Sequence, residues 1–341
     1  MHDKKFSEFL DKLKIQQDKF TTLVEDIKKT DFSAIFLEPY REKVFMDVEV
    51  SPGDFSVASV DCGFEYFEKF NQTLVLYKVC GAVFKYKNSK FSSFSYFPKN
   101  SSIELEVAQD LENFDPLRFT SLVRLKAEIS TAIKIIKNHM PNILLLDGSL
   151  LPLSVDKPTK ESPIFKDYLE LLNLYSELFN ICKKNNVLVA GVVKDSKSKR
   201  FLNMLAELGM IPSTSFSDML VLNFILKPKQ RTGFFSFHEQ NIAESYLQFP
   251  KIAVCYIKTS NALFPIRLEV VENEALFKFP SYFLFLSSVG NNFAYPPILT
   301  EVDLRSRLNE EQIKNFVALL YSKAFKSPYL EFLNNGLKPF R

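Results

Sequence analysis

The stretch Asn142-Ile143-Leu144-Leu145-Leu146-Asp147-Gly148-Ser149-Leu150 limits the possible folds more than any other, because a run of large aliphatics stops abruptly at a carboxylate, a glycine and a hydroxyl. The absence of alternation predicts a strand covered on both faces, and Pro141 before it and Gly148 after it hold the run to strand length. Such a strand delivers Asp147 to its end. A lone Asp-Gly also serves simply to turn a chain. Here the pattern occurs twice: Ser56-Val57-Ala58-Ser59-Val60-Asp61-Cys62-Gly63 is again an apolar-leaning run that ends in an aspartate with a glycine two positions on. Two strands that each end in a carboxylate present paired acids to a metal ion.

The surrounding pattern supplies the rest of an α/β fold. Phe6, Phe9, Leu10, Leu13, Phe20, Leu23, Val24 and Ile27 recur at three- and four-residue steps, which predicts an amphipathic N-terminal helix over residues 1 to 30, packed on the domain or serving as a dimer contact. Residues 31 to 55 read as a connector. Thr73 to Tyr86 and Phe91 to Phe97 read as strands joined by a turn, so that the first three strands form an antiparallel meander. A helix carrying Leu122, Leu125, Ile129, Ala132, Ile133 and Ile136 then leads into the strand that ends at Asp147. Another helix over 164 to 184 precedes the strand Val187 to Val193, and helix-strand alternation of this kind implies parallel pairing. Residues 201 to 208 read as helical, Ile252 to Ile257 and Phe264 to Val271 as strands, and about Asn309 to Lys323 as a further helix.

Composition bounds the class. Of 341 residues, 46% are apolar and 35 are phenylalanine, enough for a sizeable core and too many for a disordered chain. The apolar runs fall short of a membrane span and the N-terminus has no apolar signal core, so the reading is a soluble, cytoplasmic protein with no membrane contact. Cys62, Cys80, Cys182 and Cys255 lie far apart with no C-x-x-C pair, which predicts buried reduced thiols rather than a zinc site. A net charge of +3 decides little about partners.

A hard divalent cation takes several oxygen ligands, so the helix between the two aspartates is the place to look for a third acid. Glu128 stands there, 19 residues before Asp147 and flanked by the apolar positions Leu125, Ile129 and Ala132. Asp61, Glu128 and Asp147, in this order on a first strand, a helix and the strand after it, fit a ribonuclease-H-like nuclease layout, in which carboxylates hold two divalent ions. The Val-Asp-Cys-Gly and Leu-Leu-Leu-Asp-Gly-Ser-Leu stretches, the helix glutamate, the Gly191-Val192-Val193-Lys194 strand end and the segment from Tyr295-Pro296 to Asp303 together resemble the NurA nucleases, over roughly residues 55 to 308.

That resemblance implies a ribonuclease-H-like mixed sheet flanked by helices, with an N-terminal helix and C-terminal helical additions. It divides the chain into an N-terminal helix and connector (1–50), the nuclease domain (51–325) and a C-terminal tail (326–341). It implies a homodimer that hydrolyses DNA phosphodiesters, as exonuclease or endonuclease, with manganese or magnesium in a two-metal site. It also implies work with a hexameric HerA-type ATPase in DNA end resection and repair. Carried over position by position, Asp61, Glu128 and Asp147 match the metal-binding acids and Tyr295 the tyrosine of the late motif. Asp303 stands where many members carry a histidine, and it is read here as a further ligand and catalytic residue. This departure supports the alternative of a non-catalytic, dimeric adaptor subunit of the motor complex.

Basic residues beside these acids are candidates for phosphate contacts, because a nuclease holds a polyanion against its own carboxylates. Lys194, Lys197, Lys199 and Arg200 follow a strand end directly, and Arg305 follows Asp303. Lys227, Lys229 and Arg231 read as a loop that lends general attraction. His139 and His238 have no partner at a recognisable spacing and read as structural. The aromatic span Phe277 to Leu286 is, with the N-terminal helix, a candidate assembly surface as well as candidate core.

Overall fold

The computed structural model describes residues 2–50, 52–69, 71–236, 249–262, 264–288 and 294–324. Helix α1 (His2–Lys29) is followed by three short strands, β1 (Phe36–Leu37), β2 (Glu42–Lys43) and β3 (Phe45–Asp47). Then come β4 (Phe55–Lys69), β5 (Gln72–Lys87), β6 (Lys90–Phe97) and β7 (Glu104–Gln109). Helix α2 (Asp115–His139) leads to β8 (Ile143–Asp147), and α3 (Phe165–Lys184) to β9 (Leu188–Val193). The chain continues through α4 (Arg200–Glu207), α5 (Asp218–Ile225), β10 (Gln230–Thr232), β11 (Phe235–Ser236), β12 (Ile252–Lys258) and β13 (Ile266–Val271). Helices α6 (Phe279–Ser287), α7 (Pro297–Ser306) and α8 (Glu310–Ala324) complete it.

One mixed sheet organises these elements in the order β3-β10-β12-β13-β9-β8-β4-β5-β6. Strands β4, β5 and β6 form an antiparallel meander, β8 lies parallel to β4 and β9 parallel to β8, and the remaining neighbours pair antiparallel. A three-strand meander continued by two parallel strands, each entered from a helix, is the ribonuclease-H-like arrangement.

The unbroken aliphatic run of β8 has the predicted cause. Leu144 and Leu146 face the core built with α2 and α3, while Ile143 and Leu145 face the core built with α6 and α7. Helix α2 starts with a proline in its first turn, where no amide hydrogen is needed, and stops at Met140 in the left-handed conformation (φ 44°), whose N–H bonds Ile136 O just before Pro141. Gly148 (φ 125°) then turns the chain off the sheet, its N–H still bonded to Val192 O at 3.0 Å, so β8 ends in register with β9. A third core packs α1, α4 and α5 against β12.

Several sequence readings need correction. The connector over 31 to 55 contains β1, β2 and β3, and β3 extends the main sheet by pairing with β10. Strand β4 does not end at Asp61: β5 pairs with it up to Lys69↔Gln72, so the acid sits in mid-strand. Helix α7 occupies a segment to which the sequence reading assigned no element; Pro296 and Pro297 lie at its start, where proline suits a helix. Arg231 is not a loop cation but a buried residue on β10, paired with Glu42 at 2.5 Å. In the aromatic span, Phe279 and Phe283 are fully buried core residues, and Phe277 is exposed. His238 and the tail 326–341 lie outside the described residues. The four cysteines are free and buried, as expected. Among the described residues no helix is long and apolar enough to cross a membrane.

Candidate active site

The parallel register of β4 and β8 runs from Val57↔Ile143 to Val60↔Leu146, and one step further sets Asp61 beside Asp147. Strand β8 stops there while β4 and β5 continue, so the two acids stand where the sheet loses its parallel half. Alternation from Val57 places Asp61 on the side covered by α7. Ser306, the last residue of α7, donates its hydroxyl to Asp61 Oδ2. The approach is close enough to require a glycine on β4: a Cβ on Gly63 would lie 2.3 Å from Ser306 O. Burial pushes the Asp61 carboxyl above its ordinary range, the Ser306 bond opposes this, and the charges of Asp303 and Asp147 add to the upward push.

Asp147 accepts hydrogen bonds from Lys194 Nζ at 2.8 Å and from the Tyr295 hydroxyl at 3.2 Å. The lysine also lies over the tyrosine ring, 4.4 Å from its centroid. Burial, and then the charge of Asp147, hold the Tyr295 phenol far above its usual range, with Asp303 and Asp61 contributing. The phenol donates its hydrogen bond to Asp147. Glu128 reaches in from α2 on the other side of the sheet. It is only 8% exposed, and burial pushes its carboxyl up to about 7, with Asp61 and Asp147 reinforcing the shift and Arg124 opposing it. Arg124, one turn earlier on the same helix, meets Glu128 Oε1 at 3.0 Å.

Five side chains named from the sequence are thus drawn from four separate segments, the other four within electrostatic range of Asp61. They do not share a single cavity. Asp61 and Asp303 line one, together with Gly63, Ser306 and Arg307. Glu128 and Asp147 line the other, with Lys197, Lys199, Arg200 and Arg267. Ser121 and Arg124 belong to both and form the wall between them. Among the described residues no three acid, histidine or cysteine side chains converge closely enough to hold an ion as they stand. Each carboxylate is occupied instead by a partner of its own: Ser306 for Asp61, Arg124 for Glu128, Lys194 and Tyr295 for Asp147, Arg307 for Asp303. The donor set nevertheless fits a hard divalent cation, because it consists of carboxylate oxygens that raise one another's affinity for positive charge.

Of the basic candidates, Lys197, Lys199 and Arg200 line the cavity of Asp147 and Glu128, and Lys194 is bound to Asp147 itself. Arg305 is not drawn to either cavity; it lies over the Tyr96 ring at 3.7 Å and bonds Glu301 at 2.6 Å. Sequence reasoning missed four contributors. Arg124 and Ser306 are two, and the others are Arg267 and Glu269 on β13. Glu269, fully buried, accepts from Ser149 Oγ and Leu150 N, both at 2.8 Å, and pairs with Arg267 at 2.6 Å. Arg267 also bonds Ser196 Oγ at 3.1 Å, so β13 ties the loop after Asp147 to the loop after Lys194. Two opposite charges at i and i+2 inside the apolar strand Ile-Arg-Leu-Glu-Val-Val were the available signal.

Comparison with known proteins adds three findings. The NurA domain family matches residues 55–304. Among solved structures, the NurA nuclease from Sulfolobus solfataricus is similar at a TM-score of 0.58 and 16% identity, covering 98% of this chain and 99% of that one. A further NurA crystal structure gives a TM-score of 0.52 at 10% identity over 95% and 99% of the two chains. One of NurA bound to dAMP and manganese gives 0.50 at 8% identity over 94% and 96%. At such identities the likeness is one of fold. Comparison with curated proteins returns no match.

Proposed function

The chain belongs to the NurA family, and from that premise we propose that it is a divalent-metal-dependent nuclease that hydrolyses DNA phosphodiesters in end resection and repair. The observation that carries this reading is that Asp61 and Asp147 stand on the neighbouring parallel strands β4 and β8, with Glu128, Tyr295 and Asp303 within electrostatic range of Asp61 from α2 and the α7 region, although two cavities divide the acids. Asp61 and Asp147 would hold the cation between neighbouring strands, with Glu128 and Asp303 completing the oxygen set from the helices on either side. A pair of manganese or magnesium ions, when bound, would supply activation of the attacking water and charge stabilisation at the leaving oxygen. Tyr295, kept protonated by burial, orients Asp147 through its hydroxyl. Lys197, Lys199 and Arg200, which line the cavity, and Lys194, paired with Asp147, offset the acids and contact the phosphates that flank the scissile bond. Arg305, engaged with Tyr96 and Glu301, attracts DNA only from outside the cavities. The dAMP and manganese described for a NurA relative support the same ligand chemistry here.

In this reading the protein works as a homodimer with a hexameric HerA-type ATPase. Helix α1 supports the dimer: Leu23, Val24 and Ile27 of its stripe are buried in the body, whereas Phe6, Phe9, Leu10 and Leu13 are exposed. One observation favours a non-catalytic adaptor instead, namely that Asp303 is tied to Arg307 at the surface. Incubation of the purified protein with a labelled single strand and manganese separates the two. Cleavage that is lost in Asp147→Asn, with folding and DNA affinity retained, is the expected result. No metal-dependent cleavage, together with co-purification with the ATPase, selects the adaptor.

A further inference from the structure

We infer that Arg124 is the resident counter-cation of this site: its guanidinium neutralises the acid cluster while no divalent ion is bound, and it must leave Glu128 when one binds. The inference rests on the metal-dependent reading above and concerns a residue that reading does not use.

An i, i+4 arginine–glutamate pair on a helix is usually an exposed contact that contributes about 0.3–0.5 kcal/mol. Arg124 is placed differently. Its partner Glu128 is almost fully buried, and the Arg124 side chain is only 30% exposed. It forms, with Ser121, the shared wall of the two cavities that divide the acids between them. Glu128 acts on it most strongly, and Asp61, on the neighbouring strand, acts on it as well. One arginine therefore stands between the two groups of carboxylates.

Lys194 plays the corresponding part at Asp147, but from the more exposed end of β9, where it also lies over the Tyr295 ring. Arg124 is the less exposed of the two and is held to Glu128, one turn on along α2. A guanidinium also cannot escape by losing its proton. A divalent cation arriving among these oxygens meets a permanent like charge, and binding includes the work of moving it outward. Arg124 thus sets the metal affinity of the site without being a ligand.

Manganese binding to the purified full-length chain, followed by the paramagnetic signal of the free ion at mildly alkaline pH, tests this without recourse to activity. Arg124→Gln keeps hydrogen-bonding capacity and removes the charge, and it should bind manganese roughly tenfold more tightly, the equivalent of about 1.4 kcal/mol. Arg124→Lys keeps the charge and should stay near the wild type. Unchanged or weaker binding in the glutamine variant, with a lowered melting temperature, marks a structural arginine and overturns the inference. A crystal structure of the wild type grown with manganese tests it with no variant. The expected result is an ion between Asp61 and Asp147 and a guanidinium no longer within hydrogen-bond distance of Glu128. An ion bound with that pair intact refutes the inference while leaving the nuclease reading in place. If the wild type binds no manganese at all, the metal-dependent reading fails, and the inference with it.

Discussion

Gly63→Ala is the smallest change that moves one half of the site against the other. The added Cβ would lie 2.3 Å from Ser306 O, 2.8 Å from Ser306 C and 3.1 Å from Arg307 Cα, all backbone atoms, so no side-chain rotation relieves the overlap. The end of α7 has to retreat by roughly 1 Å to reach ordinary contact distance, or β4 has to bend away from it. Overpacking of this kind costs about 1–3 kcal/mol. For a chain of this size each kcal/mol lowers the melting temperature by about 1.4 °C, which gives a drop of roughly 1–4 °C. The retreat also takes the Ser306 hydroxyl off Asp61 and carries Asp303, one turn earlier, away from the acids on the strands. Metal-dependent cleavage should therefore fall by more than the loss of folded protein explains. Calorimetry paired with a cleavage assay at a temperature where both proteins are folded measures the two effects separately. An alanine variant with an unchanged melting temperature and unchanged cleavage refutes the argument that α7 is seated on Gly63.

Lys194→Ala should weaken DNA binding and reduce the slope of log affinity against log salt by about one unit, measured by fluorescence anisotropy; an unchanged slope means that this lysine serves only as the partner of Asp147. Leu10→Lys combined with Leu13→Lys should convert a dimer to a monomer in light scattering without lowering the melting temperature, since neither side chain is buried in the body. A wild type that is strictly monomeric at micromolar concentration removes the dimer instead.

Legibility in the sequence follows the range of the contacts involved. Strands β8 and β9 are apparent because burial on both faces leaves an uninterrupted aliphatic run, and α2 and α3 are apparent because burial on one face leaves a three-to-four-residue period. The acids that ride on these elements, Glu128 and Asp147, inherit that clarity. Asp61 is found for a weaker reason, a resemblance between two runs. The strand boundary drawn there is wrong because the pairing that prolongs β4 depends on β5, which resumes the ladder after the chain turns back at the far end. Helix α7 has no stripe to announce it, since its buried side bears only Ile298, Leu299, Val302 and Ser306 and its start is masked by prolines. What α7 contributes to the site, the Ser306 hydroxyl on Asp61, joins residues 61 and 306, and no local pattern encodes a contact of that span. Arg124 is the opposite case. Its spacing from Glu128 is plain in the sequence, but the same spacing describes any solvent-facing helix pair. Only the burial of Glu128 and the placement of Arg124 between the two cavities separate a charge that sets the chemistry of the site from one that merely faces water.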